Sequence, residues 1–303
     1  FSLSFAFVFA AGCSDPKPDY SEFYKPQPGD EPEEPVNPGL EDNQLKVMSF
    51  NVRYSSGDDG ANSWDNRKKA VPAMFADQQP TVLGVQEARL DQKTYMDENC
   101  AGYKSVGVGR TDGQNAGEFM AIYYLADAVK LEKWGTFWLS DTPDEVSKGW
   151  DSYCNRVCSY AILKDKKTGF TYAHFNAHFD HLGIVARNES VALVSSRIAK
   201  LCPDIPALLT GDLNDSEGSG MYQKILESGM NDSKYLAKYM VSSGTYHGYS
   251  SLVELTRPKA IDFVFVNDFV SSVESYTIDK TQYDGMYASD HHPVVVEMTL
   301  FNK

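Results

Sequence analysis

The sequence predicts one α/β domain built from two β-sheets, beginning at about residue 44. Strand-like alternation and helix-like spacing are mixed along the chain without a strict strand–helix–strand repeat. No internal repeat and no linker interrupts this pattern up to the last residue. A length of 303 residues allows one large domain or two small ones, and the uninterrupted pattern favours one.

The predicted elements follow one another over most of this domain. Strands are predicted at residues 45–52, 81–87, 119–125, 131–139, 156–163, 170–179, 206–211, 260–266 and 293–300. Helices are predicted at residues 64–77, 92–99, 187–202 and 219–228. The third helix has apolar residues at Val191, Val194, Ile198 and Leu201, which is helical spacing.

The chain is acidic, with a formal net charge of -14. A protein that grips nucleic acid through many phosphates usually has a basic face, so the charge disfavours nucleic acid as a partner. A small phosphate substrate stays compatible with this charge, because a bound divalent cation can supply positive charge locally.

The cysteines do not form a metal-binding pattern: no CxxC pair and no cysteine–histidine zinc spacing is present. We interpret Cys100, Cys154, Cys158 and Cys202 as small buried residues. Cys154 and Cys158 are placed on one strand, roughly 13 Å apart, which is too far for a disulfide. A disulfide such as Cys100 with Cys154 stays open for an exported protein.

The N-terminal segment is predicted to direct export. Residues 1–11 are mostly apolar, too few for a membrane span of about 20 residues but typical of the apolar region of a signal peptide. The run Ala-Ala-Gly-Cys13 resembles the lipobox of bacterial lipoproteins, in which the cysteine is acylated. Neither Met nor a basic segment precedes it, so we expect the natural chain to begin upstream. An ordinary signal peptide or a buried strand is the alternative.

Residues 14–43 are predicted to be a disordered linker. They contain seven of the fourteen prolines, many acidic residues and few apolar ones. Such a segment cannot bury enough surface to offset the entropy lost on ordering. The sequence therefore divides into a signal segment at 1–13, a linker at 14–43 and a folded domain at 44–303.

Polar side chains follow three apolar strands, at the point where each strand ends. Asn51, Glu87 and Asp212 close these strands, and Asn214 comes two residues after Asp212. Ligands of α/β sheets gather at the carboxyl ends of strands. Four oxygen-bearing side chains there are what a hard divalent cation needs, which favours Mg²⁺ over Zn²⁺, with Mn²⁺ and Ca²⁺ as further candidates.

Other polar groups interrupt the later strands. Alternation puts His174, Asn176 and His178 on one strand face, and Asp262 lies on an apolar strand where a lone charge is costly. The run Ser289–Pro293 contains an acid and two imidazoles beside another core strand. Each feature alone has a structural explanation, such as a core histidine, a turn or a salt bridge. Their combination in this order predicts an active site.

This set of residues resembles the endonuclease/exonuclease/phosphatase superfamily. The matching segments are Ser-Phe-Asn51-Val, Val-Gln-Glu87, Asn176-Ala-His178-Phe-Asp-His181, Gly-Asp212-Leu-Asn214, Ile-Asp262-Phe and Ser-Asp290-His291-His292-Pro. The resemblance implies a four-layer sandwich, in which two mixed β-sheets pack face to face with helices on both outer sides. Residues 228–255 contain none of these six segments, and we expect the substrate to be selected in such loops.

The resemblance also implies a role for each matching residue. It implies that Glu87 ligates the catalytic metal with Asn51 and Asp290 close by, and that Asp212 and Asn214 orient the attacking water and the phosphate. It implies that His178 and His291 contact the phosphoryl oxygens or the leaving group. We expect Asp262 to hold His291 and Glu118 to hold His178.

Three further residues are assigned to substrate binding on the same resemblance. Arg89 and Arg156 match positions that approach the phosphate. His247 lies in a Gly-Thr-Tyr-His segment typical of the deadenylase-like branch and is a candidate substrate contact. His174, His181 and His292 are interpreted as structural.

The predicted function is Mg²⁺-dependent hydrolysis of a phosphoester by in-line attack of water, on a small or lipid-linked phosphate. A secreted nuclease and a non-enzymatic surface-binding protein are the alternatives. We expect a monomer, exported and anchored to a membrane by a lipid, with the membrane face left open.

The lipid anchor can be tested in a Gram-negative host. The full-length protein, with its natural start restored, should incorporate labelled palmitate, and Cys13→Ala should abolish the label because the acylated thiol is gone. Cys202→Ala is the matched control and should keep the label. Unlabelled wild-type protein would refute the anchor.

Overall fold

Two β-sheets lie face to face, with helices against the outer face of each, in the computed structural model, which describes residues 43–301. The predicted four-layer α/β sandwich is confirmed. The signal segment 1–13 and all of the linker except Asn43 lie outside the described residues.

The first sheet has seven strands. They are β1 (Gln44–Asn51), β2 (Val82–Ala88), β3 (Tyr103–Val106), β4 (Phe119–Leu125), β10 (Ala237–Val241), β12 (Val270–Ile278) and β13 (Val294–Leu300). Their spatial order is β10-β12-β13-β1-β2-β4-β3. The pairs β1–β2 and β10–β12 are parallel and the others antiparallel, so the sheet is mixed.

The second sheet has six strands. They are β5 (Val129–Trp138), β6 (Val157–Asp165), β7 (Thr171–His178), β8 (Ala207–Asp212), β9 (Asn231–Asp232) and β11 (Asp262–Val266), in the order β5-β6-β7-β8-β11-β9. β7 and β8 run parallel, whereas β8 and β11 run antiparallel with Asp262 opposite Asp212. The end of β8 and the start of β11 therefore lie at the same edge of the sheet.

The helices are mostly short. They are α1 (Trp64–Arg67), α2 (Ala70–Gln78), α3 (Leu90–Asn99), α4 (Ile184–Leu201), α5 (Gly220–Glu227), α6 (Ser233–Leu236) and α7 (Ser251–Thr256). The single helix predicted at 64–77 is wrong, because α1 ends at Arg67 and α2 begins at Ala70. Pro72 explains the break: it has no N–H to donate to the carbonyl of Lys68, and its ring would clash with that carbonyl in a continuous helix.

Apolar residues form three layers of core. Val47, Leu163 and Val264 belong to the layer between the sheets. On the outer faces, Phe50 and Phe75 belong to a core under α2, and a further core under α4 and α5 includes Phe175, Val191 and Ile225. Burying each such side chain stabilises the fold by about 1.5–3 kcal/mol. No helix within residues 43–301 is long and apolar enough to span a bilayer.

Several elements were not predicted from the sequence: β3, β9, β10, β12, α6 and α7. β12 is the largest of these, and only Val273, Tyr276 and Ile278 of its nine residues are buried. Serines and a glutamate occupy many of its other positions, so the apolar alternation is weak. β12 is paired on both sides, with β10 and with β13, and these contacts are long-range in the sequence.

The four cysteines of the described domain are all free. Cys100, Cys158 and Cys202 are buried, as predicted. The placement of Cys154 on a strand is wrong: it is half-buried and precedes β6. Its carbonyl accepts a hydrogen bond from Ser152 Oγ at 3.0 Å, as in a turn.

Candidate active site

Strand ends bring the predicted polar residues together at one edge of the sandwich. Asn51 ends β1, His178 ends β7 and Asp212 ends β8, while Asp262 begins the antiparallel β11. Glu87 lies next to the last residue of β2. The sheets pack face to face, so the first sheet supplies Asn51 and Glu87 and the second supplies the other three.

Asn51 connects acids from the two sheets. Its Nδ2 donates to Glu87 Oε1 and to Asp212 Oδ2, each at 2.9 Å. Its Oδ1 accepts from the backbone N–H of Arg53 at 2.9 Å, which fixes the orientation of the amide. Asn51 therefore presents nitrogen to the acids and holds Glu87 and Asp212 in place.

Two of the site residues have a left-handed backbone. The φ angles of Glu87 and Asn214 are 64° and 50°, a region that costs non-glycine residues roughly 1 kcal/mol or more. Hydrogen bonds fix both side chains. Glu87 Oε2 accepts from the N–H of Tyr54 at 3.1 Å, and Asn214 Nδ2 donates to the carbonyl of Phe179 at 3.0 Å. Strain of this kind is common where a fold positions functional groups.

His291 and Asp262 form a buried pair, as predicted, with 2.8 Å between Nδ1 and Oδ2. Burial lowers the pKa of His291, but the charge of Asp262 and the hydrogen bond outweigh it and raise the pKa to about 10. Thr245 Oγ accepts from the backbone N–H of Ile261 and of Asp262, which fixes the start of β11. His291 Nε2 is then left 3.8 Å from Asp212 Oδ2.

The predicted contact between His178 and Glu118 is wrong. Glu118 Oε2 lies 2.7 Å from Arg110 Nη1, and Arg110 Nη2 donates to Glu118 Oε1 at 2.9 Å. The charged guanidinium, with its hydrogen bond from Nη2, is a stronger partner for this carboxylate than a neutral imidazole. His178 Nε2 instead lies 2.9 Å from Asn214 Nδ2, and its Nδ1 has no hydrogen-bond partner among residues 43–301.

His178 and His291 therefore differ in charge. Burial and then the charge of Arg156 hold the pKa of His178 well below its usual range, so this imidazole is neutral. Asn214 Nδ2 can only donate, so Nε2 of His178 is the acceptor and Nδ1 carries the hydrogen. One site thus contains a cationic imidazole, His291, and a neutral one.

Burial also raises the pKa values of two acids of the site. It raises the pKa of Asp212 to about 7, and the nearby charge of Asp262 acts in the same direction. Burial raises the pKa of Asp290 as well. Asp290 Oδ1 accepts from Ser289 Oγ at 3.2 Å, and Asp290 Oδ2 lies 3.7 Å from Arg53 Nε. Several buried carboxylates thus share a small volume.

This donor set fits a hard divalent cation. Ligand atoms of Glu87, His178 and Asp212 lie within 4.8 Å of one another. A second trio, Asp212, Asp262 and His291, is equally close, but its Asp262–His291 pair is already hydrogen-bonded and charged. The carboxylate oxygens of Glu87 and Asp212 suit magnesium-like ions, whereas an imidazole is a ligand more typical of transition metals, and a cation would offset the mutual repulsion of the acids. Glu87 is thus placed where the sequence predicted a metal ligand.

A cavity of about 720 Å³ opens over these groups. Both arginines predicted to approach the phosphate, Arg89 and Arg156, line it. Other wall residues were not predicted: Arg53, Tyr54, Arg110, Tyr153, His181, Tyr246 and Arg257. Arg53 and Tyr54 come shortly after Asn51 in the sequence, and His181 comes shortly after His178. Closeness to these matching segments is the signal from which they could have been predicted as cavity residues.

His247 does not line this cavity, which corrects its assignment as a substrate contact. It is 3% exposed, and its Nε2 lies 3.1 Å from the carbonyl of Ser289. Its backbone N–H donates to the carbonyl of Asp290 at 2.9 Å, and its ring stacks on His292 at 4.1 Å. His247 therefore supports the Asp290–His291 loop from behind, and Thr245, two residues earlier, supports Asp262.

Arg67 ties further loops of the site together. It is 1% exposed and donates to the backbone carbonyls of Val52, Arg53 and Ala288 at 2.6–2.8 Å. Those carbonyls belong to the segment after β1 and to the loop before Asp290. A buried guanidinium needs such acceptors, so both loops are held at fixed distance from one another.

Comparison with known families identifies one match over most of the domain. Residues 48–291 match the Endonuclease/Exonuclease/phosphatase family. The matched range extends from β1 to His291 and includes the acids and imidazoles described above.

Solved structures give the same result. The chain is 32% identical to an endonuclease/exonuclease/phosphatase from Bacteroides vulgatus, covering 85% of this chain and 99% of that one, with a TM-score of 0.81. A mannosyl-6-phosphatase from Bacteroides thetaiotaomicron is 34% identical, over 84% and 100% of the two chains, with a TM-score of 0.78. The human Nocturnin catalytic domain, at 17% identity, a TM-score of 0.64 and coverage of 85% and 94%, shares the fold.

The charge of His291 can be measured by histidine side-chain ¹H–¹⁵N NMR in EDTA. His291 should keep its proton at pH 8, and Asp262→Asn should lower its pKa, since the strongest charge that opposes burial is lost while Asp212 and Asp290 still raise the pKa. The raised pKa stabilises the wild type fully below about pH 6.5, and this contribution is lost as pH rises through about 10.

His174 is an internal control for this measurement, because burial lowers its pKa to about 3 and it should stay neutral in both proteins. A neutral His291 in the wild type at pH 8 would contradict the assigned pair.

Proposed function

The chain belongs to the endonuclease/exonuclease/phosphatase family, and we propose that it hydrolyses a phosphoester with the help of a bound divalent cation. The observation that carries the proposal is the convergence of Glu87, Asp212 and Asp290 with one cationic and one neutral imidazole at one cavity. Glu87 and Asp290 are proposed to hold the ion, with Mg²⁺ favoured by the oxygen donors. Such an ion supplies neutralisation of the phosphate charge.

The protein groups have separate tasks in this proposal. Asp212 orients the attacking water and accepts its proton, and Asn51 and the N–H of Asn214 hold this carboxylate in position. The protonated His291 donates to a phosphoryl oxygen, where negative charge grows in the transition state. His178 accepts a hydrogen bond from Asn214 Nδ2, and its Nε2 lies 3.7 Å from Asp212 Oδ2, beside the group that accepts the proton.

We further propose that the substrate is a small phosphoester. The relative from Bacteroides thetaiotaomicron, a mannosyl-6-phosphatase, is 34% identical over nearly its whole length. A cavity of about 720 Å³ suits a ligand of that size. Arg89 and Arg257 form no ion pair with other described residues and are available to a phosphate. A nuclease is disfavoured because the chain has a net charge of -14, and a lipid-linked phosphate stays within the proposal.

Metal removal tests the proposal on the full chain. We expect hydrolysis of p-nitrophenyl phosphate or bis-p-nitrophenyl phosphate with Mg²⁺ or Mn²⁺, and its loss in EDTA. Glu87→Gln should weaken the apparent affinity for Mg²⁺ by about tenfold or more, because a charged ligand becomes neutral. The readout is activity against Mg²⁺ concentration.

Glu132→Gln is the matched control, since Glu132 lies on β5, away from the residues that line the cavity. It should leave the Mg²⁺ dependence unchanged. Full wild-type activity in EDTA would exclude the metal-dependent mechanism.

The pair of Asp262 and His291 gives a second kinetic test. Asp262→Ala and His291→Ala should each lower kcat by about 10²-fold or more. His291→Ala removes the imidazole, and Asp262→Ala removes the carboxylate that keeps the imidazole charged and oriented. The double variant should be no slower than the slower single variant, as for groups that act as one unit. Circular dichroism checks that each variant folds, and near-wild-type turnover in either single variant would remove the pair from the mechanism.

A further inference from the structure

Part of the cavity wall is polar but close to neutral. Arg110 is paired with Glu118 at 2.7 Å, and Arg156 Nε donates to Asp180 Oδ2 at 3.2 Å. Each guanidinium therefore has its own carboxylate before any substrate arrives. Such pairs can still hydrogen-bond to a ligand, but they add little net positive charge. This wall suits hydroxyl groups better than a second anionic group.

His181 completes this wall with a defined tautomer. Arg156 Nη2 lies 3.0 Å from His181 Nδ1, and a guanidinium can only donate. Nδ1 must therefore accept, which leaves the ring hydrogen of the neutral imidazole on Nε2. His181 lines the cavity, and its Nε2 has no hydrogen-bond partner within the described domain. It is a fixed, uncharged donor available to a ligand.

The fold holds His181 in this position. Asp180 Oδ1 accepts from the N–H groups of Leu182 and Gly183 at 3.0 and 2.8 Å, which sets the turn around His181. Asp180 Oδ2 orients Arg156, and Arg156 orients the imidazole. A donor fixed in this way loses little conformational freedom on binding, so it can discriminate between ligands.

An aromatic ring lies beside this donor. Tyr153 also lines the cavity and is 68% exposed, and its ring meets that of His181 edge to face at 5.2 Å. An exposed aromatic face next to fixed hydrogen-bonding groups suits a ligand with both C–H and hydroxyl surfaces, such as a sugar ring.

We propose that His181 is a specificity-determining residue whose Nε2–H donates to a hydroxyl of the alcohol part of the substrate, which is a phosphomonoester of a polyhydroxylated alcohol such as a sugar. The inference rests on the proposed phosphoesterase function and assigns its substrate class. Arg156, Asp180 and Tyr153 position this donor, while the acids and imidazoles of the active site act on the phosphate.

The test compares two phosphomonoesters of similar size on the full chain with Mg²⁺. Mannose 6-phosphate carries ring hydroxyls, whereas cyclohexylmethyl phosphate lacks them but has a similar alkyl leaving group. Wild-type kcat/KM, measured by phosphate release, should be at least tenfold higher for mannose 6-phosphate. His181→Phe should lower that value by about tenfold or more, because one hydrogen bond to the substrate is lost, and should leave the value for cyclohexylmethyl phosphate within about twofold.

Two further variants sharpen the result. His181→Gln keeps a donor near the Nε2 position and should restore part of the preference. Leu182→Ala is the control: Leu182 is an exposed neighbour that does not line the cavity, and this change should alter neither substrate.

Each remaining outcome counts against the inference. An equal loss on both substrates in His181→Phe, or no change on either, would overturn it, as would a wild type without preference. A wild type that cleaves bis-p-nitrophenyl phosphate but neither monoester would overturn the substrate class while the phosphoesterase function stands. No hydrolysis of any of the three compounds would overturn both.

Discussion

The burial of several carboxylates at one edge of the sandwich is the constraint on which the rest of the site depends. Glu87, Asp212, Asp262 and Asp290 lie close together, and like charges with little water around them repel strongly. The hydrogen bonds of the Asn51 amide and the positive charge of His291 offset part of this repulsion. The remainder explains why the arrangement suits a divalent cation, since without one the acids favour partial protonation.

The acids come from both sheets, so their positions depend on a fixed separation between the sheets. A layer of buried polar side chains beneath the site fixes that separation. Gln86 Nε2 donates to Asn176 Oδ1 at 2.7 Å, from the first sheet to the second. Asn176 Nδ2 returns hydrogen bonds to the carbonyls of Val85 and Ala121 at 2.9 Å. A side chain at Gly84 would meet Thr210 and Asn176 within 2.1–2.4 Å, so only glycine allows the sheets this close. These cross-sheet hydrogen bonds specify one register where apolar packing would tolerate several, although Gln86 Oε1 has no hydrogen-bond partner among the described residues.

The sequence predicted those parts of the site where a polar residue interrupts an apolar strand. Asp262 on an apolar strand required a partner, and His291 is that partner. The partner of Glu118 could not be predicted in this way. Arg110 lies on a loop, and only the folded structure shows that it, and not His178, reaches Glu118. β12 and β10 were missed for a related reason: they depend on pairing with distant strands, and their own sequences carry little apolar alternation. Local rules thus located the acids and most of the strands, whereas the hydrogen-bond partners of the polar groups could be assigned only from the folded structure.

The distribution of arginines explains how an acidic protein can attract a phosphate and still choose among phosphates. Five arginines line the cavity of a chain whose net charge is -14, and four acids line it with them, so the attraction for a phosphate depends on the arginines that have no carboxylate partner. Arg110 and Arg156 are neutralised by their own acids, whereas Arg89 and Arg257 are not. Attraction of the phosphate and recognition of the group attached to it can therefore be assigned to different residues. A change at the neutral wall should alter which ester is cleaved with little effect on the groups that cleave it, which is how one catalytic arrangement can serve different substrates.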